Sequence, residues 1–441
     1  MPFSSFTDAL PHILKYNRVP DKKKGQNLIG ALYFASDDES RFGIFFMYIR
    51  ASSSGGGKMS KKIDKNSLPM PCFVDSLHRQ RSAAELISRI TGLVNAGNHY
   101  HLDFASPWFG KVLAAYQQPH RHFHTLEHLL SLCERIHETL PSDPEMQAKL
   151  LLTALFHDVI WYPQGEDSED RSAEVFDFIT ELYQLPIPAH ARSAIRQAIL
   201  ATKDQNESDE LAARFHEYDC HVILHGNPVD LLGYEFQIFR EYQYLNMVEY
   251  RRGRSEFFSR FSRRFPKCRA NMRFLIEYLE RRRPRVGVYA GTFNPFHIGH
   301  LSILEKAELM FDKVIVAVGI NPQKHVEKDD RVVRDLPFHE VVNFKTLMVD
   351  FIDQESVFSD VTLVRGLRNG YDLDYEMNQL CFMQEMRPET RAVYIPCDKE
   401  LEHVSSSALN SMAKFEVKGR DSIYYPHKYN YYQQSIEELF G

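Results

Sequence analysis

The chain reads as a multidomain protein, an all-α domain followed by an α/β domain of the Rossmann-like, parallel-sheet kind. Three observations predict this. At 441 residues the chain is too long for one ordinary domain. From about Cys72 to Arg283, apolar residues recur at three- and four-residue intervals, the helical period. Beyond Arg285, short β-branched runs alternate with helical stretches, the signature of βαβ units.

The elements follow in order. Residues 1–70 form an uncharacterised leader with linker-like tracts at Lys22–Lys24 and Ala51–Lys58. Within it, Leu28–Phe34 and Gly43–Ile49 could pair as a small hairpin, and a poorly ordered segment is expected overall. Helices are predicted over Ala83–Leu93, Glu127–Leu140, Gln147–Trp161, Ser172–Tyr183 and Ala191–Thr202. Strands are predicted at Val286–Tyr289, Val314–Val318, Val361–Val364 and Ala392–Ile395, with helices at His300–Phe311, Leu373–Met386 and Ser406–Phe415. The boundary falls at Arg281–Pro284, because proline disfavours helix in the residue before it. The expected domains are therefore 73–283 and 284–441.

Composition narrows the function. Hydrophobic content of 44%, charged content of 25% and a net charge of -6 suit a soluble globular protein with no nucleic-acid partner. The six cysteines are scattered without a C-x-x-C pair, which argues for a reducing compartment and against a cysteine-bound zinc. No apolar run approaches the about 20 residues of a membrane helix, and no secretory signal opens the chain. A cytoplasmic protein with no membrane partner is expected.

The stretch GTFNPFHIGHLSILEKA, Gly291–Ala307, passes from strand to helix. Gly291 lets backbone amides approach a phosphate, and Thr292 adds a hydroxyl there. His297 and His300 share a face of the first helical turn. Helix N-termini attract anions, so two imidazoles there suit a triphosphate that loses pyrophosphate. Such a transfer works by positioning and electrostatic stabilisation rather than covalent catalysis.

This stretch resembles the T/HxGH signature of the nucleotidyltransferase superfamily. VIVAVGINPQK (Val314–Lys324), VRGLRNGYDLDYE (Val364–Glu376) and HVSSSAL (His403–Leu409) sharpen the resemblance to phosphopantetheine adenylyltransferases. It implies ATP and 4′-phosphopantetheine as substrates with Mg²⁺, and a homo-oligomer, since that family is often hexameric. It further implies that Thr292 and Lys324 hold the pantetheine phosphate, with Phe293 beside them and Leu347 along the pantetheine arm or in the core. His300 would stabilise the transition state. Arg365 and Arg368 would bind phosphates, Glu376 would meet the nucleotide, and Ser405, Ser406 and Ser407 would receive the outer phosphates. Two positions depart from the family: His297 stands in place of threonine, and Met383 in place of asparagine. His297 is the form seen in nicotinate-nucleotide and glycerol-phosphate enzymes, so a nicotinate mononucleotide or alcohol-phosphate acceptor is the alternative.

A second histidine constellation lies upstream in HRHFHTLEHLL (His120–Leu130) and TALFHDVIWYP (Thr153–Pro163). The adjacent His157 and Asp158 can give a nitrogen and an oxygen to one divalent ion, with His124 and Asp219 completing the set. His120, His122 and His128 read as surface or packing residues. The order of blocks, including SEDRSA (Ser168–Ala173), ATKDQ (Ala201–Gln205), EYDCHVIL (Glu217–Leu224) and YRRGR (Tyr250–Arg254), resembles the HD phosphohydrolase superfamily. That resemblance implies a divalent metal and hydrolysis of a small phosphorylated metabolite or nucleotide, with Glu169 as a supporting carboxylate. Asp204 replaces the group's usual histidine, which leaves a non-catalytic, ligand-binding domain as the alternative. The arginine-rich stretch Arg251–Arg285 reads as an amphipathic helix with phenylalanines inward and arginines solvated.

Overall fold

The computed structural model describes residues 81–140, 142–204, 209–319, 332, 335–413 and 422–441. The leader 1–70 and Lys324 lie outside the described residues, as does the side chain of Asp204. Chain contacts divide the described residues into a helical unit of Arg81–Arg282 with His427–Gly441, and an α/β unit of Arg283–Pro426. The chain passes from one unit to the other between Arg282 and Arg283, and the segment 284–441 is divided between them. Its last fifteen residues pack with the helices instead.

The helical unit contains α1 (Ala83–Ala96), α2 (Pro107–Ala115), α3 (Leu126–Thr139), α4 (Pro144–Phe156), α5 (Ser168–Leu182), α6 (Ala189–Asp204) and α7 (Glu210–Asp219). The short α8 (His221–His225), then α9 (Pro228–Glu241), α10 (Met247–Arg264) and α11 (Arg269–Arg281) follow. Local chemistry sets their starts. The Asp143 side chain accepts from the N–H of Met146 ahead of Pro144, and Asn227 and Asn246 cap α9 and α10 in the same way. α4 is buried nearly all round, and α3 and α7 pack on it and on each other. α10 buries Phe258 and Phe261 and exposes Arg252, Arg260 and Arg263, the amphipathic arrangement expected there.

The α/β unit holds β1 (Arg285–Gly291), α12 (Ile298–Glu308), β2 (Lys313–Gly319), β3 (Val341–Phe344), α13 (Met348–Glu355), β4 (Asp360–Leu367), α14 (Gly370–Met386), β5 (Ala392–Pro396) and α15 (Ser406–Ala413). Its five strands are all parallel in the order β3-β2-β1-β4-β5. β1 and β2 are near-continuous buried runs, as expected of central strands covered on both faces. Val286, Val288, Ile315, Ala317 and Leu363 belong to the core, each valine, isoleucine or leucine side chain contributing about 1.5–3 kcal/mol on burial. β1 is followed in the sheet by β2 on one side and β4 on the other. The strand order reverses there, and a crevice opens at the carboxyl ends of β1 and β4.

Candidate functional site

In the α/β unit that crevice is a cavity of about 390 Å³. Thr292, Phe293, His297 and His300 line it from the β1–α12 turn, Arg365, Arg368 and Glu376 from β4 and α14, and Ser405–Ser407 from the start of α15. These residues were singled out by the sequence and come from three separated blocks. Leu347 is not among the residues lining this cavity. It caps α13 and is 59% exposed, so it is not a core leucine either.

The β1–α12 turn is tightly wound. Phe293 takes a left-handed backbone with φ of 44°, unusual for a bulky residue, and its ring folds back over Gly291. A Cβ at Gly291 would lie 2.9 Å from that ring. Asn294–Pro295 is a cis peptide. The turn is tied to α15 by hydrogen bonds from Ser406 Oγ to the Pro295 carbonyl, 2.9 Å, and from Asn410 Nδ2 to the Asn294 carbonyl, 2.9 Å.

His297 and His300 stack with ring centroids 3.6 Å apart. The backbone N–H of His297 donates to His300 Nδ1 at 3.3 Å, which leaves the ring proton on Nε2. Burial, then His297 and Arg368, hold His300 well below the usual imidazole range. Burial and then Arg368 bring His297 down to about 4. Both rings are therefore neutral donors near neutral pH. Arg365 donates to the Ala290 carbonyl at 2.6 Å and pairs with Glu376 at 3.0 Å. Arg368 forks onto Asp372 at 3.0 and 3.2 Å. Two guanidinium groups and the N-termini of α12 and α15 give the cavity donors of the kind that suit phosphates.

The Cytidylyltransferase-like family matches residues 288–411. A phosphopantetheine adenylyltransferase of Clostridium tetani is 32% identical over 138 residues, covering 30% of this chain and 84% of that protein. One from Clostridium perfringens is 36% identical over 144 residues, covering 30% and 86%, and one from Aquifex aeolicus 32% over 162 residues, covering 35% and 95%. The chain belongs to the phosphopantetheine adenylyltransferase family. Its α/β unit is a nucleotidyltransferase domain, and the cavity just described lies within the residues that the family matches.

The helical unit of this adenylyltransferase-family chain holds a second candidate site. α3, α4 and α7 bring His128, His157 and Asp219 together with ligand atoms within 4.8 Å of one another. His157 Nε2 lies 2.9 Å from Asp158 Oδ2 and 3.6 Å from Asp219 Oδ1, and His128 Nε2 lies 3.2 Å from Asp219 Oδ1. His157 Nδ1 donates to the Ala154 carbonyl at 3.0 Å, which turns the Nε2 lone pair toward the carboxylates. His128 Nε2 and His157 Nε2 are buried and make no well-aligned hydrogen bond. Imidazole nitrogens facing carboxylate oxygens in this way fit a shared divalent cation, so the residues present suit such an ion. Burial would lower His157, but Asp158 and Asp219 reverse this and raise it to about 10, a proton standing where a cation would. Asp219 is held well below the usual carboxylate range against its burial, chiefly by His128 and His157.

The sequence reading placed His128 among surface or packing residues; the structure sets it beside His157 and Asp219. It lies one helical turn after His124, on the face that α3 turns to α4 and α7. His124 stands one step back, with Nε2 3.9 Å from Asp158 and Nδ1 2.6 Å from Glu241. Glu241, fully buried at the end of α9, was not singled out by sequence. Its Oε1 accepts the backbone N–H groups of His122, Phe123 and His124 at 2.8, 2.7 and 2.9 Å, and its Oε2 also accepts Trp161 Nε1–H at 3.1 Å. Burial would raise Glu241, but His124 and these donors hold it far below the usual range. Trp161 stacks on His124 at 3.8 Å.

The remaining blocks have structural roles. Arg121 donates to the carbonyls of Asp158 and Val159 at 2.7 and 3.0 Å and so fixes the turn after His157. Ser172 Oγ bridges the N–H and carbonyl of Ile160, both at 3.1 Å. Arg254 forms an internal ion pair with Glu235 at 2.8 Å. Glu169 is raised by burial and then by Asp158. Among the described residues, no helix is long and apolar enough to cross a membrane.

Proposed function

We infer that the α/β unit transfers the adenylyl group of ATP to 4′-phosphopantetheine, releasing pyrophosphate and dephospho-coenzyme A. The observation that carries this is the convergence of His300, Arg365, Arg368 and Ser405–Ser407 on one cavity in a chain with these relatives. A phosphate oxygen of the acceptor bonds to the α-phosphorus as its bond to the bridging oxygen of pyrophosphate breaks. His300 offers Nε2–H to the α-phosphate oxygens as charge builds on them, and Arg365 and Arg368 neutralise the nucleotide phosphates. Ser405–Ser407 and the N-terminus of α15 hold the departing pyrophosphate. Thr292 and Lys324 take the acceptor phosphate. Mg²⁺ bound to the ATP phosphates would lower their charge.

The helical unit is a divalent-metal phosphohydrolase for a small phosphorylated metabolite. His128, His157, Asp158 and Asp219 hold the ion, which when bound supplies Lewis acidity for phosphoester cleavage. His124 gives its Nε2 proton to the leaving oxygen. Burial would lower its pKa, but Glu241 and Asp158 raise it, so the proton is there to give.

The test is pyrophosphate release from ATP with 4′-phosphopantetheine, wild type against His300→Ala. Release that falls about 10²- to 10³-fold in the variant supports the assignment. Release only with nicotinate mononucleotide or an alcohol phosphate favours the second reading, for which the buried His297 beside His300 speaks. For the helical unit, Mn²⁺-dependent hydrolysis of p-nitrophenyl phosphate, lost in Asp219→Asn, supports the hydrolase, and no hydrolysis by wild type overturns it.

A further inference from the structure

Residues 427–441 follow the nucleotidyltransferase domain in sequence but fold into the helical unit. α16 (Ile436–Phe440) is N-capped by Ser435, buries Phe440 and packs on α2 and α5. Ahead of it, Tyr432 sets its ring edge-on to Tyr162 at 4.9 Å and donates to Gln164 Oε1 at 3.4 Å. Tyr431 reaches further in. Its ring stacks on His120 with centroids 5.5 Å apart, and its hydroxyl lies 2.5 Å from His120 Nδ1.

His120 is only 3% exposed, and its other nitrogen, Nε2, lies 2.7 Å from the Trp161 carbonyl. A carbonyl can only accept, so His120 Nε2 carries the ring proton. Nδ1 then presents a lone pair, and the Tyr431 hydroxyl donates to it. The tail thus completes a relay of fixed contacts: Tyr431 to His120, His120 to the Trp161 backbone, and the Trp161 indole to the face of His124 and to Glu241.

We propose that the segment 427–441 is a working part of the helical unit's metal site and that Tyr431 is its positioning residue, holding His120 and through it Trp161 so that His124 faces the cation-binding cluster. This rests on reading the helical unit as a metal-dependent phosphohydrolase. It means that the hydrolase is built from chain on both sides of the nucleotidyltransferase domain. A protein cut after Pro426 keeps the metal ligands and loses the support of His124.

The test uses the full-length chain carrying Tyr431→Phe, which removes only a hydroxyl, with Gln164→Ala as the control that leaves the Tyr431–His120 contact in place. Mn²⁺-dependent hydrolysis of p-nitrophenyl phosphate is followed for kcat and KM. In the same samples, ¹⁵N spectra report the two tryptophan indoles and the histidine tautomers, the chain having only two tryptophans. In Tyr431→Phe, kcat is expected to fall about 10- to 100-fold with KM little changed, as for groups that orient metal-site residues. The Trp161 indole and the His124 ring signals shift, while Trp108 and pyrophosphate release stay as in wild type. Gln164→Ala behaves as wild type. Unchanged Trp161 and His124 signals in Tyr431→Phe overturn the proposal, and so does an unchanged kcat. If wild type hydrolyses nothing, the phosphohydrolase reading falls, and the spectra still decide whether Tyr431 positions Trp161 and His124.

Discussion

Glu241→Gln isolates the carboxylate that organises the helical unit's site, because glutamine keeps its shape and removes its charge. Five donors converge on Glu241: three backbone N–H groups on Oε1, and His124 Nδ1 and Trp161 Nε1 on Oε2. A glutamine amide has only one oxygen. If it faces the backbone, its NH₂ meets the His124 and Trp161 donors; if it is flipped, its NH₂ meets the three backbone N–H groups. His124 can relieve its own conflict by releasing its Nδ1 proton and keeping the one on Nε2, but the Trp161 N–H then still faces an amide N–H. Hydrogen bonds to charged groups are worth about 1.5–3 kcal/mol each, and breaking a buried ion pair costs about 3–5 kcal/mol. With partial relief, a loss of about 3 kcal/mol is expected. For a unit of this size, that lowers its melting temperature by about 6–12 °C. Scanning calorimetry of the full chain reads this directly, with ATP used to mark the transition of the α/β unit. A helical-unit transition that moves by less than about 2 °C would refute the argument that Glu241 is a required acceptor. Equal shifts in both transitions would refute its locality.

Other outcomes are equally specific. A divalent ion such as Mn²⁺ at about a hundred times its Kd should stabilise the helical transition by about 2.7 kcal/mol, and His157→Ala should abolish the effect in a thermal melt. Arg368→Lys keeps the charge but not the fork onto Asp372 at 3.0 and 3.2 Å, so KM for ATP should rise in the pyrophosphate assay with a smaller change in kcat. His297 titrates near 4 in the fold against 6.5 when unfolded, so between those values the unfolded chain binds the extra proton. The stability of the α/β unit should therefore be full above 6.5 and fall as pH drops toward 4. Urea midpoints at pH 5 and 7 should differ less in His297→Gln. Gly287→Ala places a Cβ 2.7 Å from the Phe311 ring and 3.0 Å from Val364, so overpacking should cost about 1–3 kcal/mol by urea denaturation without moving the site residues.

The crevice of the α/β unit was legible because its residues come in short blocks with fixed local geometry. A glycine at a strand end, histidines on one helical turn, arginines at the next strand end and serines at a helix start each carry their meaning within a few residues. β3 was not legible. Val341–Phe344 is a four-residue edge strand, no residue of which is buried, so it lacks a periodic apolar signal. The predicted helix Gln147–Trp161 ran past its true end at Phe156. Its apolar period continues through Val159 and Ile160, which are buried in a turn held by Arg121 and Ser172. His128 was passed over because an i,i+4 pair does not reveal which histidine faces the bundle; that depends on where α7 packs. Glu241 lies 117 residues from His124, and sequence spacing alone gave no sign of their pairing. The four-residue spacing of His124 and His128 across the start of α3 was the one signal that could have flagged the second histidine.

The return of the tail to the helical unit has a consequence for biosynthesis. A ribosome that has finished α11 must still translate about 150 residues before Tyr431 exists, a delay of roughly 8–30 seconds at about 5–20 residues per second. Throughout that interval the nascent bundle waits with the seats of Tyr431 and Phe440 unfilled. Order of synthesis is therefore not order of completion. The adenylyltransferase domain, second to begin, has all its own strands in hand before the helical unit has its last part, and every full-length chain closes its first-made unit last.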